Sequence, residues 1–76
     1  MSSNLSAQYL NPPGEFQRLV MHAFGLRSEL RKVFLLCELR GCTIEEAARV
    51  LGITTTAATL RLERARREMK ARLGIQ

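Results

Sequence analysis

The chain has 76 residues, 46% of them hydrophobic and only 5% aromatic, which suits one small domain with an aliphatic core and no covalent staples. A net charge of +5 and a sequence isoelectric point near 10.3 favour a polyanionic partner. With no apolar run of membrane-spanning length and no signal-peptide pattern, a soluble cytoplasmic protein with no membrane role is expected.

Residues 1–10 are polar and lack periodicity; they read as a flexible arm or linker remnant, leaving residues 11–76 as the domain proper. Asn11-Pro12-Pro13-Gly14 is helix-entry punctuation, because proline suits the first helical turn. The periodicity predicts a first helix from about Glu15 to Phe24, with Phe16, Leu19, Val20 and Ala23 inward and Gly25 ending it. His22, the only histidine, falls on the outward side and reads as solvated.

A second helix is expected from about Arg27 to Arg40, closed by Gly41. Leu26, Leu30, Val33, Phe34 and Cys37 form one stripe of it, with Leu35, Leu36 and Leu39 on the opposite side. A helix apolar nearly all round is either central or covered by a partner. It is thus expected to lie sandwiched between its neighbours, or else to present Leu35, Leu36 and Leu39 as a protein-docking patch.

Thr43 opens a third helix, and Glu46 three residues later completes a capping box. Ile44, Ala47, Ala48 and Leu51 recur on one face, and Gly52 follows where a helix ends in the left-handed conformation. After the corner Leu51-Gly52-Ile53, any of Thr54, Thr55 or Thr56 is eligible to cap a fourth helix. Its apolar stripe is Ala58, Leu62, Ala65 and Met69, with Leu73 at the end before Gly74. No strand pattern, repeat or low-complexity tract occurs, so the expected fold class is all-α, a small four-helix domain with a C-terminal helix-turn-helix. The second helix of that motif normally enters the DNA major groove.

Enzymatic chemistry has little to work with. The sequence has no Asp, one His and no glycine-rich phosphate loop, so no nucleophile relay is available. Glu45 and Glu46 are adjacent and point about 100° apart on a helix, away from any common substrate. Cys37 and Cys42 are the only cysteines, and without a CxxC spacing or a nearby histidine they offer no metal-ligand set. Two reduced thiols, no cofactor and no metal are expected.

The charge is concentrated at the C-terminal end. From Thr54 onward six basic residues stand against two glutamates, a balance of +4, while the preceding residues carry six against five. With Ala58, Leu62, Ala65 and Met69 inward, Thr56, Leu60, Glu63 and Arg67 point away from the core. Arg61 and Arg64 flank one side of that face, Thr59 and Arg66 the other. The N-terminal part of such a face reaches base edges while its basic flanks hold phosphates. Thr56 and Thr59 suit bases or phosphates, Leu60 a thymine methyl, Glu63 a cytosine amino group, and Arg64 a guanine or a phosphate. The candidate DNA-binding set is Thr43, Thr54, Thr55, Thr56, Thr59, Leu60, Arg61, Glu63, Arg64 and Arg67. The competing reading of the arginines is a solubilising helix with Glu63 and Arg67 paired at i,i+4.

Residues 30–73, LRKVFLLCELRGCTIEEAARVLGITTTAATLRLERARREMKARL, resemble the C-terminal domain, domain four, of bacterial RNA polymerase sigma factors of the extracytoplasmic-function type. The resemblance lies in Arg31 with Val33-Phe34-Leu35-Leu36, Gly41 before Thr43, Glu45-Glu46-Ala47-Ala48, Leu51-Gly52-Ile53, Arg61-Leu62 and Arg64-Ala65-Arg66. It implies recognition of the promoter −35 element in double-stranded DNA, docking on the β-subunit flap of the polymerase core, and sequestration by an anti-sigma factor. The family usually has a small residue at position 56, Val at 58, a basic residue at 59 and Ser at 60, where this chain has Thr56, Ala58, Thr59 and Leu60. That departure sustains a second reading, a sigma-like mimic that captures an anti-sigma-type regulatory protein without binding DNA. A third is a helix-turn-helix of another class, such as the output domains of response regulators.

Overall fold

In the computed structural model, which describes Gly14 to Gly74, four helices follow in order. They are α1 (Glu15–Ala23), α2 (Ser28–Phe34, continuing into a π-helical turn at Leu35–Leu39), α3 (Ile44–Leu51) and α4 (Thr55–Leu73). The expected arm at residues 1–10 and the Pro12-Pro13 entry lie outside the described residues. The fold is all-helical, as the periodicity predicts.

Local chemistry sets most of these boundaries. Thr43 Oγ1 accepts from Glu46 N at 3.1 Å while Thr43 N donates to the Glu46 carboxylate at 2.8 Å, a reciprocal box that satisfies two donors at the start of α3. Gly52 takes φ 69°, and Ile53 N folds back to the Ala48 carbonyl at 3.0 Å. A left-handed residue followed by that backward hydrogen bond stops α3 and turns the chain toward α4. Of the three eligible threonines, Thr54 is the cap: its Oγ1 accepts from Ala57 N at 3.1 Å.

The core consists of Ala23, Leu26, Leu30, Val33, Phe34, Ala47, Ala48, Ala58, Leu62, Ala65 and Met69. Ala47 and Ala48 of α3 and Ala58 and Ala65 of α4 are buried together in this core. Leu62 and Met69 fill the space toward α2 and α1, and Leu73 packs at the margin.

Three expectations need correction. Phe16 was expected inward but is 63% exposed. It shares the face of buried Ala23 but sits about 10 Å nearer the start of α1, past the edge of the surface that α4 offers. Leu35 and Leu36, expected opposite the core stripe, are half-buried and pack against the core; Leu39, at 38% exposure, projects more. The reason is the π-helical turn, where Arg40 N reaches back five residues to the Leu35 carbonyl at 3.1 Å. One extra residue in the turn breaks the 100° spacing on which the opposite-side assignment rests. His22, expected to be solvated, is half-buried.

Two arginines finish the C-terminal end of α1. Arg31 donates to the Phe24 carbonyl at 3.4 Å and lies 5.9 Å from the centre of the Phe24 ring. Arg72, near the end of α4, donates to the Gly25 carbonyl at 2.9 Å.

Candidate nucleic-acid interface

With Ala58, Leu62, Ala65 and Met69 held inward, α4 turns the remaining faces outward. Thr55, Thr56, Thr59, Glu63, Arg64 and Arg67 are exposed, Leu60 is 61% exposed, and Arg61 is half-buried. Leu60, Arg61, Glu63, Arg64 and Arg67 share the wall of one cleft of about 380 Å³, whose other wall is Arg27, Glu29 and Leu30 of the α2 start. The cleft brings together half of the ten residues expected to meet DNA. Thr43, Thr54, Thr55, Thr56 and Thr59 lie outside it, Thr43 at the start of α3 and the others at the turn's end and the opening of α4.

Thr43 and Thr54 each give an oxygen lone pair to the backbone of the helix they start. Their hydroxyl protons point to no protein acceptor among the described hydrogen bonds, so each keeps a donor for a phosphate oxygen. Arg66 is otherwise employed: its Nε donates to Glu38 Oε2 at 2.7 Å, and its Nη2 reaches the same oxygen, tying α4 to the π-helical turn. That pair is partly exposed, 55% for Arg66 and 32% for Glu38, so it orients more than it stabilises. Glu63 and Arg67 do not form, at contact distance, the i,i+4 ion pair of the competing solubilising-helix reading; among the described residues Arg66–Glu38 is the salt bridge present. Arg64 and Arg67 thus keep their guanidinium groups for another partner.

Arg27 and Glu29 were absent from the sequence-based set. Nothing in periodicity marks them, since only the packing of α2 against α4 brings their turn beside Leu60 and Arg64.

Leu35, Leu36 and Leu39 lie away from this cleft, on the π-helical turn. Beside that turn a second, apolar cleft of about 230 Å³ is lined by Leu19, Phe34, Met69 and Leu73, with Glu38, Arg66 and Lys70 at its rim. Cys37 and Cys42 are free thiols. Burial, then the proximity of Cys42 and Glu38, pushes the Cys37 thiol above its usual range, with Arg66 opposing. The thiolate needed for nucleophilic attack or metal ligation is therefore disfavoured. Among the described residues no cluster of three metal-ligating side chains occurs, and no helix is long and apolar enough to cross a membrane.

The family described as Sigma-70, region 4 matches residues 25–69, from the turn before α2 to the buried Met69 of α4. No curated protein and no solved structure matches the chain.

Proposed function

Because the chain belongs to the sigma-70 region 4 family, a DNA-binding helix-turn-helix domain of sigma factors and not a catalytic family, we propose that it recognises the promoter −35 element in double-stranded DNA and so directs transcription initiation by RNA polymerase. The observation that carries this reading is the outer face of α4. Leu60 stands 61% exposed there, between arginines that no glutamate neutralises at contact distance. An apolar side chain flanked by free guanidinium groups suits a thymine methyl bordered by phosphates. Thr43, Thr54, Thr55, Thr56, Thr59, Arg61, Glu63, Arg64 and Arg67 complete the assigned surface. The extracytoplasmic-function type and a cytoplasmic location are part of the same proposal.

The polymerase contact assigned to the domain is the β-subunit flap. The apolar cleft supports it, since Met69 and Leu73 line it from α4, with Leu19 of α1 and Phe34 of α2, and Leu60 is left clear. The mimic reading, with an anti-sigma factor held at Leu35, Leu36 and Leu39, is less well supported. Leu35 and Leu36 already give much of their surface to the core.

The test fuses the domain behind a −10-recognising sigma domain, where tethering offsets the weak affinity of a single helix-turn-helix. Transcription should depend on a definable −35 sequence. Leu60→Ala should change which sequence is preferred, whereas Arg64→Ala should weaken all sequences and lessen the salt slope by about one unit. Transcription indifferent to every −35 sequence, combined with tight capture of an anti-sigma-type protein, would sink the DNA reading.

A further inference from the structure

Arg27 immediately precedes α2 and lies outside the helix-turn-helix, yet it lines the same cleft as Leu60, Arg61, Arg64 and Arg67. Its side chain makes no capping hydrogen bond to α2 and takes part in no ion pair or side-chain hydrogen bond among the described residues. Glu29 and Glu63 share the cleft but stand beyond ion-pair distance of its arginines. Four guanidinium groups against two carboxylates leave the cleft with a surplus of two positive charges. Arg61 also lines a neighbouring cleft of about 250 Å³ together with Ser28, Glu29 and Lys32, so cationic side chains continue along the flank of α2.

We propose that Arg27 grips the phosphodiester backbone beside the major groove, so that the DNA-binding surface spans the start of α2 as well as the helix-turn-helix. The inference rests on the DNA reading above and deepens it. The chemistry is that of guanidinium with phosphate: a planar fork, always charged, weakly hydrated and matched to two phosphate oxygens. Geometry decides which phosphates these are. A recognition helix whose outer face enters the major groove brings its flanks to the groove walls, which are the sugar-phosphate strands. The α2 start faces that flank across the cleft, so a phosphate seated against Arg61 and Arg64 meets Arg27 from the other side. A contact of this kind adds affinity without adding sequence information.

The experiment titrates the 76-residue chain against short fluorescent duplexes, with and without the preferred −35 sequence, over a range of low salt concentrations. Arg27→Gln is compared with Arg18→Gln, which removes the same charge from an exposed position on α1 outside the cleft. Circular dichroism checks that both remain folded, which the lack of a capping role for Arg27 favours. Arg27→Gln should weaken binding to every duplex alike and reduce the salt slope by about 0.9, the value for one phosphate contact. Arg18→Gln should change the slope much less, and Arg27→Lys, which keeps the charge, should restore most of it. Equal effects of Arg27→Gln and Arg18→Gln would reduce Arg27 to a contribution to net charge and overturn the proposal. An unchanged slope in Arg27→Gln, with Arg64→Ala still weakening binding, would overturn it while leaving the DNA reading intact. Failure of the unsubstituted chain to bind any duplex at the lowest salt, and of the tethered fusion to show −35 dependence, would remove both.

Discussion

Gly25 and Arg72 are 47 positions apart in sequence and meet as a single contact. A Cβ built at Gly25 would come within 2.7 Å of the nearer Arg72 guanidinium nitrogen and 3.3 Å of the His22 carbonyl. Since Arg72 is flexible and exposed, it would swing away and give up its hydrogen bond to the Gly25 carbonyl. Gly25→Ala should therefore destabilise the domain by about 0.5–1 kcal/mol, the lower part of the range for a net hydrogen bond, because solvent competes for the same groups. Arg72→Ala should cost a similar amount. In urea unfolding, the double variant should fall well short of the sum, because each change breaks the same contact. Full additivity would mean that the two residues act separately. Neither residue is recognisable from sequence as half of a pair. Gly25 reads as a helix terminator and Arg72 as one more charge on a basic helix.

Each helix shows how far local spacing carries. Thr43 with Glu46, and Gly52 after Leu51, specify the start and stop of α3 within the helix itself, and the structure uses them as their chemistry suggests. Ala58, Leu62, Ala65 and Met69 are all buried, since α4 keeps helical periodicity over its 19 residues. The cap of α4 is different. Three consecutive threonines satisfy the same local rule, and only the direction of entry from the α3 corner selects Thr54. Accordingly Thr54→Ala should cost about 1 kcal/mol, whereas Thr55→Ala and Thr56→Ala should stay within about 0.5 kcal/mol. Thermal melts of the three variants check this directly. The second helix was the least legible. A 3.6-residue period puts Leu35, Leu36 and Leu39 opposite the core stripe, and the π-helical turn at Leu35–Leu39 inserts a residue that this period has no means to anticipate. The candidate interface divides in the same way. Its α4 residues follow from the inward stripe, while Arg27 and Glu29 enter only through the packing of one helix start on another.

The longest helix, α4, has 19 residues and is roughly 28 Å long. Its partners reach it in turn: α3 near its start, α2 over its middle, and α1 toward its end through Leu19 and Arg72. Among the described residues no cluster of metal-ligating side chains occurs, so the domain should melt as one helical transition whose midpoint is the same with and without a chelator. A chelator-dependent midpoint in circular dichroism would contradict that. The burial of the alanines of α3 and α4 has a consequence for how such a molecule changes over generations. Ala47, Ala48, Ala58 and Ala65 are buried beneath the outer face of α4, whereas Thr56, Thr59, Leu60 and Glu63 on that face are exposed and none belongs to the core. Mutation can search that surface freely, since an altered side chain there meets solvent or ligand and leaves the scaffold intact. Target preference and foldability are then inherited as separate traits, and a lineage can adopt new sites without first acquiring compensating changes in its core.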